Sequence, residues 1–349
     1  MAEVYQLEGK LSQAEKAARK ALSGREKTLE PTNPDVYRSQ RRLATILELQ
    51  GKYGAAEALI NKALEGQRVL VGPSDEKTFY IQYRLAFIQR AQGHYAAAED
   101  LVREAFAIQK FVYGLSSLGT RKMQNSLALS LIAHSKIPEA ETHILDLLQF
   151  VNDQHRVGPD HRYRLHLQFA LGLIRTAQGC HAEAVSLYQM AWKGIERSSP
   201  GHPESLEFHS AYAAALLQLD VVAHAEESYS TQNNIHKASE KEIGPDHPVT
   251  LTSLLRLSEA SAAKGDVKSA VKIAKRARER REKVLGNKHP DTVAAEAWLE
   301  QLQERRKSKI NVAAEVVEDV GTTRDRGKSL GEEAHRDRSL VAKRKSMTP

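Results

Sequence analysis

The sequence predicts an all-α solenoid, a stack of helix pairs, and three observations carry that prediction. A short phrase recurs at a fixed interval: Gly51-Lys52-Tyr53-Gly54-Ala55-Ala56-Glu57 returns 42 residues on as Gly93-His94-Tyr95-Ala96-Ala97-Ala98-Glu99. The same step outward reaches Gly9 to Glu15 (GKLSQAE) and Ser135 to Glu141 (SKIPEAE), and looser copies start at Gly179, Asp220 and Gly265, seven in all. Second, an alanine follows each turn residue by five positions: Ala14, Ala56, Ala98, Ala140, Ala184, Ala225 and Ala270. Third, a loop signature separates the units: Gly158-Pro159-Asp160-His161, Gly201-His202-Pro203, Gly244-Pro245-Asp246-His247-Pro248 and Gly286-Asn287-Lys288-His289-Pro290. Self-similarity at a period of a few tens of residues marks a repeat architecture, in which each unit buries its apolar face against its neighbours.

Within one unit, Leu43, Ala44 and Leu47 fall on one stripe of a helix expected from about Val36 to Gln50, and Gly51 ends it by taking left-handed backbone angles. The second helix is expected from about Tyr53 to Val71. A small residue recurs twelve after the turn at Ala21, Ala63, Ala105, Ala191 and Ala277, with Leu147 and Gln232 out of series. Two alanines seven apart share one side of a helix, where a missing side chain lets a neighbouring helix come close. The residue two after the turn (Leu11, Tyr53, Tyr95, Ile137, Val222, Val267, and His181 in the fifth copy) is the expected knob. Proline after the loop histidine opens the next helix, where its preset φ fits and its missing N–H is not needed. After Ser135 the turn spacing drifts to 44, 41 and 45 residues, which places insertions in the later repeats. Only Met1 to Glu8 precede the first turn, so the array is expected to start in mid-repeat, as a fragment or a shortened gene product of a longer protein. A last helix from Pro290 to about Arg306 is expected to close the other end with Trp298 and Leu299. The predicted organisation is an array over 1–306 and a polar, disordered basic tail over 307–349.

These residues resemble tetratricopeptide repeats of the long type seen in kinesin light chains and in the C-terminal arrays of fungal and bacterial NACHT and NB-ARC signalling ATPases. The resemblance rests on Leu-Ala before the turn (Leu43-Ala44, Leu85-Ala86, Leu127-Ala128), the Gly-x-Tyr-x-x-Ala-Glu turn and the Gly-Pro-Asp-His-Pro loop, and covers about Met1 to Arg306. It implies a right-handed α-solenoid of antiparallel helix pairs whose inner surface, lined by the first helix of each pair, binds extended or helical peptides. Kinesin light chains tend to place asparagines at two positions before Leu-Ala; here only Asn125 does so, and arginine stands at 42, 84 and 256. No heptad coiled coil precedes the array. Both departures speak against membership in a kinesin complex.

Composition narrows the function. Lys and Arg number 51 against 44 Asp and Glu, a formal charge of +7 and a pI near 9.3, which leans toward acidic partners. Spread over so long a chain, that excess does not make a nucleic-acid footprint. Cys180 is the only cysteine, so there is no disulfide framework and no thiolate zinc site, and it is expected to be an inert packing residue. Met1 to Lys10 lacks a leader pattern and no apolar run could cross a bilayer, so a cytoplasmic protein without membrane contact is predicted. A nuclear reading rests on the basic run Lys275 to Arg281 together with Lys343-Arg344-Lys345. Gly321 to Ser329 looks like a phosphate loop but has five residues between its glycines where that loop has four. His161, His202, His247 and His289 recur one repeat apart, too far to share an ion, and their expected role is local, packing and hydrogen-bonding the loop. Without HExxH, GxSxG or a Cys-His pairing, no catalysis, cofactor or metal is predicted. Lys275 to Arg281 reads as a solvated outer face, with nucleic-acid or acidic-lipid attraction the weaker reading.

The candidate site lies on the inner surface. Positions 13, 10 and 9 before each turn project away from the Leu-Ala stripe: Arg38, Arg41 and Arg42; Tyr80, Tyr83 and Arg84; Lys122, Asn125 and Ser126; His166, Phe169 and Ala170; Glu207, Ser210 and Ala211; Thr252, Leu255 and Arg256. Cations concentrate in the N-terminal half, interleaved with Tyr80, Tyr83 and Phe87. Guanidinium forks take carboxylates and rings take apolar anchors, so the predicted partner is an acidic, partly aromatic peptide. The competing readings are a solvated charged face, the sensor or assembly part of a larger NACHT or NB-ARC signalling ATPase, and a basic RNA adaptor. The expected function is a non-catalytic peptide-binding scaffold.

Overall fold

The structure, a computed structural model, describes residues 2, 5, 11–153, 158, 160–199 and 202–308. The first turn at Gly9, the loop residues Pro159 and Gly201, the phosphate-loop look-alike and all of the tail beyond 308 lie outside the described residues. Thirteen helices follow in order, without a strand among the described residues: α1 (Leu11–Thr28), α2 (Pro34–Leu49), α3 (Tyr53–Val71), α4 (Glu76–Ala91), α5 (Tyr95–Tyr113), α6 (Leu118–Ala133), α7 (Ile137–Asp153), α8 (Arg162–Ala177), α9 (His181–Ser198), α10 (Pro203–Leu219), α11 (Val221–Glu242), α12 (Pro248–Ala263) and α13 (Val267–Leu285). A further helical run covers 290–308. Each helix packs on its chain neighbours, and first helices of successive pairs also touch, α4 on α6, α6 on α8 and α10 on α12. The result is an all-α, right-handed solenoid. Two compact units divide at Glu296 and Ala297; the array described below is the first. In the second, Leu299 and Leu302 are buried and Arg305 lies 5.7 Å over the Trp298 ring.

The loop signature proves to be helix-capping chemistry. Asn33 Oδ1 accepts from the Asp35 amide and Asp75 Oδ1 from the Lys77 amide, both at 2.9 Å. At the same place His161, His202, His247 and His289 accept through Nδ1 from the amides of Tyr163, Glu204, Val249 and Asp291, at 3.1 to 3.3 Å. Satisfying an orphan donor of the first turn is what an N-cap does, and imidazole can do it only with Nδ1 unprotonated. At the other helix end, Lys52, His94, Lys136, Cys180 and Asp266 donate backbone N–H to the carbonyls of Leu47, Gln89, Leu131, Arg175 and Ser261. This six-to-one bond wraps around a left-handed residue, glycine at 51, 93, 179 and 265 and Ser135 at φ 60°.

The core repeats at positions 5, 9, 12 and 16 after the turn: Ala98, Val102, Ala105 and Gln109, for example, are all buried. One unit corrects the sequence reading. Asp220 is not a left-handed turn residue; it ends α10 and caps α11, accepting from the amides of Val222 and Ala223. The buried set there is Ser228, Gln232, Ile235 and Ser239, so the marker position belongs to Ser228, while Ala225 is half-buried and Val222 is 94% exposed. Three extra residues separate the His202 cap from this register, close to one helical turn, so the same face still turns inward. The polar core is satisfied locally: Ser228 Oγ donates to the Ala213 carbonyl at 2.8 Å, and Gln232 Nε2 to that of Ser210 at 2.8 Å. Cys180 is also corrected, being exposed rather than packed.

In three units the glutamate that closes the recurring phrase ties the unit to the next. Glu15 accepts from Lys52 Nζ at 2.7 Å, Glu99 from Lys136 Nζ at 2.7 Å, and Glu141 from Gln178 Nε2 at 2.6 Å, each 37 residues on. Glu99 also accepts from Arg103 and faces His134 Nδ1 at 2.6 Å. Burial works against its charge, yet these hydrogen bonds hold its pKa at about 2.

Candidate peptide-binding groove

The first helices α2, α4 and α6 place the basic and aromatic candidates on successive ridges. Arg38 is 63% exposed and pairs with Asp35 at 3.0 Å. Arg41, half-buried, lies 5.0 Å over the ring of Tyr80, which is 45% exposed on the next first helix. Phe87 is exposed on α4, with the Arg90 guanidinium 5.8 Å from its ring. Lys122 is exposed on α6, Asn125 beside it is half-buried, and Tyr83 packs partly buried against the central core. Arg42 is half-buried and engaged. Stacking a guanidinium on an exposed ring keeps both oriented while leaving the cation's edge open to an acceptor.

Other candidates are spent on the fold. Arg84 meets Glu48 at 2.6 Å, both largely buried, so its charge is compensated within the chain. Phe169 stacks on Phe208 with centroids 4.1 Å apart, and His166 packs edge-on to the same Phe208 and faces Glu204 at 3.3 Å. Burial opposes the Glu204 carboxylate, but His166 and Arg162 hold its pKa at about 2. His166 and Phe169 therefore join α8 to α10, apart from the Arg41 and Tyr80 pair.

Glu48, Arg90, Glu259 and Asp291 escaped the sequence reading because they lie off the three counted positions, whereas Glu207 and Arg256 are among those counted. Burial raises the Glu48 pKa to about 7, with Arg84 and Arg90 opposing. Glu207 and Glu259 are pushed up by burial too, with Arg256 opposing in both. Glu207 keeps contact with water, and the protein around it accounts for the partial loss of solvation. Tyr53 shares a cavity of about 180 Å³ with Glu207, Ser210, Thr252, Arg256 and Asp291. The lining is thus of mixed charge.

Tetratricopeptide repeat models match residues 1–68 and 250–291. The chain carries tetratricopeptide repeats in these two segments. Among solved structures, the apo form of RapI has a TM-score of 0.57 at 12% identity, covering 81% of this chain and 96% of that one. The Rap conjugation gene regulator of plasmid pLS20, solved with the Phr* peptide, has a TM-score of 0.55 at 14% identity over 80% of this chain and 76% of that one. A putative kinesin light chain from Podosopora anserina with TPR-like repeats is 22% identical over 60% of this chain and 96% of that one, at a TM-score of 0.45. Comparison with curated proteins gives no match.

The remaining surface of the array is less available than its sequence suggests. In the basic run, Arg276 meets Glu240 at 2.8 Å, Arg278 meets Glu282 at 2.8 Å and also Glu296, and Arg280 reaches Glu240 at 3.4 Å. Arg281 is buried and donates to the Asp291 carbonyl at 2.7 Å. The run is an inter-repeat brace whose charge is largely met by acids of the neighbouring elements. Among the described residues, no helix is long and apolar enough to cross a membrane, and no three His, Cys, Asp or Glu side chains converge as metal ligands do.

Proposed function

We propose that this protein is a non-catalytic scaffold that holds an acidic protein segment with aromatic or aliphatic anchors on the first-helix surface of α2, α4 and α6. The observation that carries the reading is the Arg41 guanidinium stacked on the exposed Tyr80 ring, flanked by exposed Arg38, Phe87 and Lys122. Cations at a rim in high dielectric add specificity and steering, and the rings supply the apolar contact. The deeper Arg84 keeps its partner Glu48 and serves the groove's shape. A similar fold holds the Phr* peptide in the Rap conjugation gene regulator, which is in keeping with this reading.

The test is fluorescence anisotropy of the full chain with labelled dodecapeptides that are rich in Asp and Glu and carry one Trp or Phe. A lysine-rich counterpart with the same aromatic residue serves as control. Binding of the acidic peptide, weakening as salt rises and absent with the control, is expected. Equal binding of both peptides, or of neither, would overturn the reading.

A further inference from the structure

Two loops late in the chain sit on two turns near its beginning, and both contacts use the same residues in the same register. His289 Nε2 lies 3.0 Å from the carbonyl oxygen of Ala91, 198 residues away. Pro290 occupies the space where a Cβ on Gly93 would fall. One repeat earlier on both sides, a Cβ on Gly51 would stand 2.5 Å from Cδ of Pro248 and 3.8 Å from the ring of His247, whose imidazole faces the backbone of Leu49. Leu49 and Ala91, Gly51 and Gly93, His247 and His289, Pro248 and Pro290 are each 42 residues apart, so one docking geometry is used twice. Leu285 adds apolar contact by packing against the N-terminal core.

The docking is not a general consequence of the turn. Gly179 and Gly265 share the positive φ, yet nothing lies within 4 Å of the position their Cβ would take. Nor is it a general consequence of the cap, since His161 and His202 cap their helices in the same way and are exposed. In His289, acceptance of the Asp291 amide at Nδ1 leaves the proton on Nε2, which donates to Ala91. One ring thus fixes a local helix end and a distant turn. The polar cavity lined by Tyr53, Glu207, Arg256 and Asp291 lies where the two ends of the array meet.

We propose that these two His-Pro loops form a clasp that latches the array into a closed turn of the superhelix, and that releasing it opens the concave interior to a protein segment. The coupling to a segment rests on the function proposed above; the clasp itself does not.

The experiment uses the full chain with Cys180→Ser and nitroxide labels at Ala58→Cys and Lys288→Cys, read by electron–electron double resonance. The clasp variant carries His247→Asn and His289→Asn, because asparagine keeps the cap, as Asn33 does, but is too short to reach the turn. The control carries His161→Asn and His202→Asn. A single short distance is expected in parent and control, with a longer and broader population in the clasp variant at unchanged helicity. The same distribution in all three, or equal broadening in the control, would overturn the clasp. Should the clasp variant lose helicity, Pro248→Ala with Pro290→Ala removes the docking rings instead and is read in the same way. Addition of the acidic dodecapeptide should lengthen the parent's distance and bind the clasp variant at least several-fold more tightly. Equal affinity would remove the coupling and leave the clasp, whereas no binding to either protein would fault the peptide reading alone.

Discussion

The carboxylate of Glu99 accepts a 2.7 Å hydrogen bond from Lys136, the residue that follows the next repeat's turn. With Arg103 and His134 completing the set, its pKa of about 2 lies below the unfolded value of 4.5. A group depressed in this way contributes stability that is present above about pH 4.5 and is lost as pH falls toward 2. Glu99→Gln should destabilise the array by about 1–3 kcal/mol at neutral pH, since it leaves buried hydrogen-bond geometry half-filled. It should also flatten the acid limb of a urea-midpoint profile. An acid limb as steep as the parent's would show that this tie does not couple the repeats.

Glu48 titrates with the opposite sign. Its folded pKa of about 7 exceeds 4.5, so its contribution is full below about pH 4.5 and is lost as pH rises through 7. Glu48→Gln should lack that decline, so the difference between variant and parent stabilities should change across pH 4 to 8. A difference independent of pH would mean that the carboxyl is solvated despite its position beside Arg84.

The register of the α10 and α11 pair can be tested by size. Ser228→Leu should destabilise by about 1–3 kcal/mol through overpacking at the buried marker position, as should Ala98→Leu. Ala225→Leu, at the half-buried site, should cost less than either. Thermal or urea unfolding gives the order. Ala225→Leu as the most damaging of the three would restore Asp220 as the turn.

Much of this fold was legible because the phrase from Gly51 to Glu57 states it seven times. The helix from Tyr53 to Val71 was read to the residue, and the loop histidines were assigned a local role that capping by Nδ1 makes concrete. The register after α10 was not legible, since an alanine at 225 satisfied the pattern by accident while a buried serine, Ser228, held the true place. The site was legible in part. Counting back from the turns found Arg41 and Tyr80, but helical counting sees one element at a time. It could not show that Glu48 answers Arg84, that Phe208 stacks on Phe169, or that loops 198 residues along meet the early turns. Those contacts depend on superhelical curvature, which accumulates from small rotations per repeat and leaves no local sequence mark.

The most direct measurement is a charge-reversal exchange at the rim. Arg41→Glu combined with Lys122→Glu reverses two cations outside the described ion pairs while leaving the Arg84 and Glu48 pair intact. Anisotropy titrations of the full chain should show at least a tenfold loss of affinity for the acidic aromatic dodecapeptide, and a gain for its lysine-rich counterpart, at unchanged helicity. Undiminished binding of the acidic peptide by this variant would contradict the assignment of the groove to α2, α4 and α6.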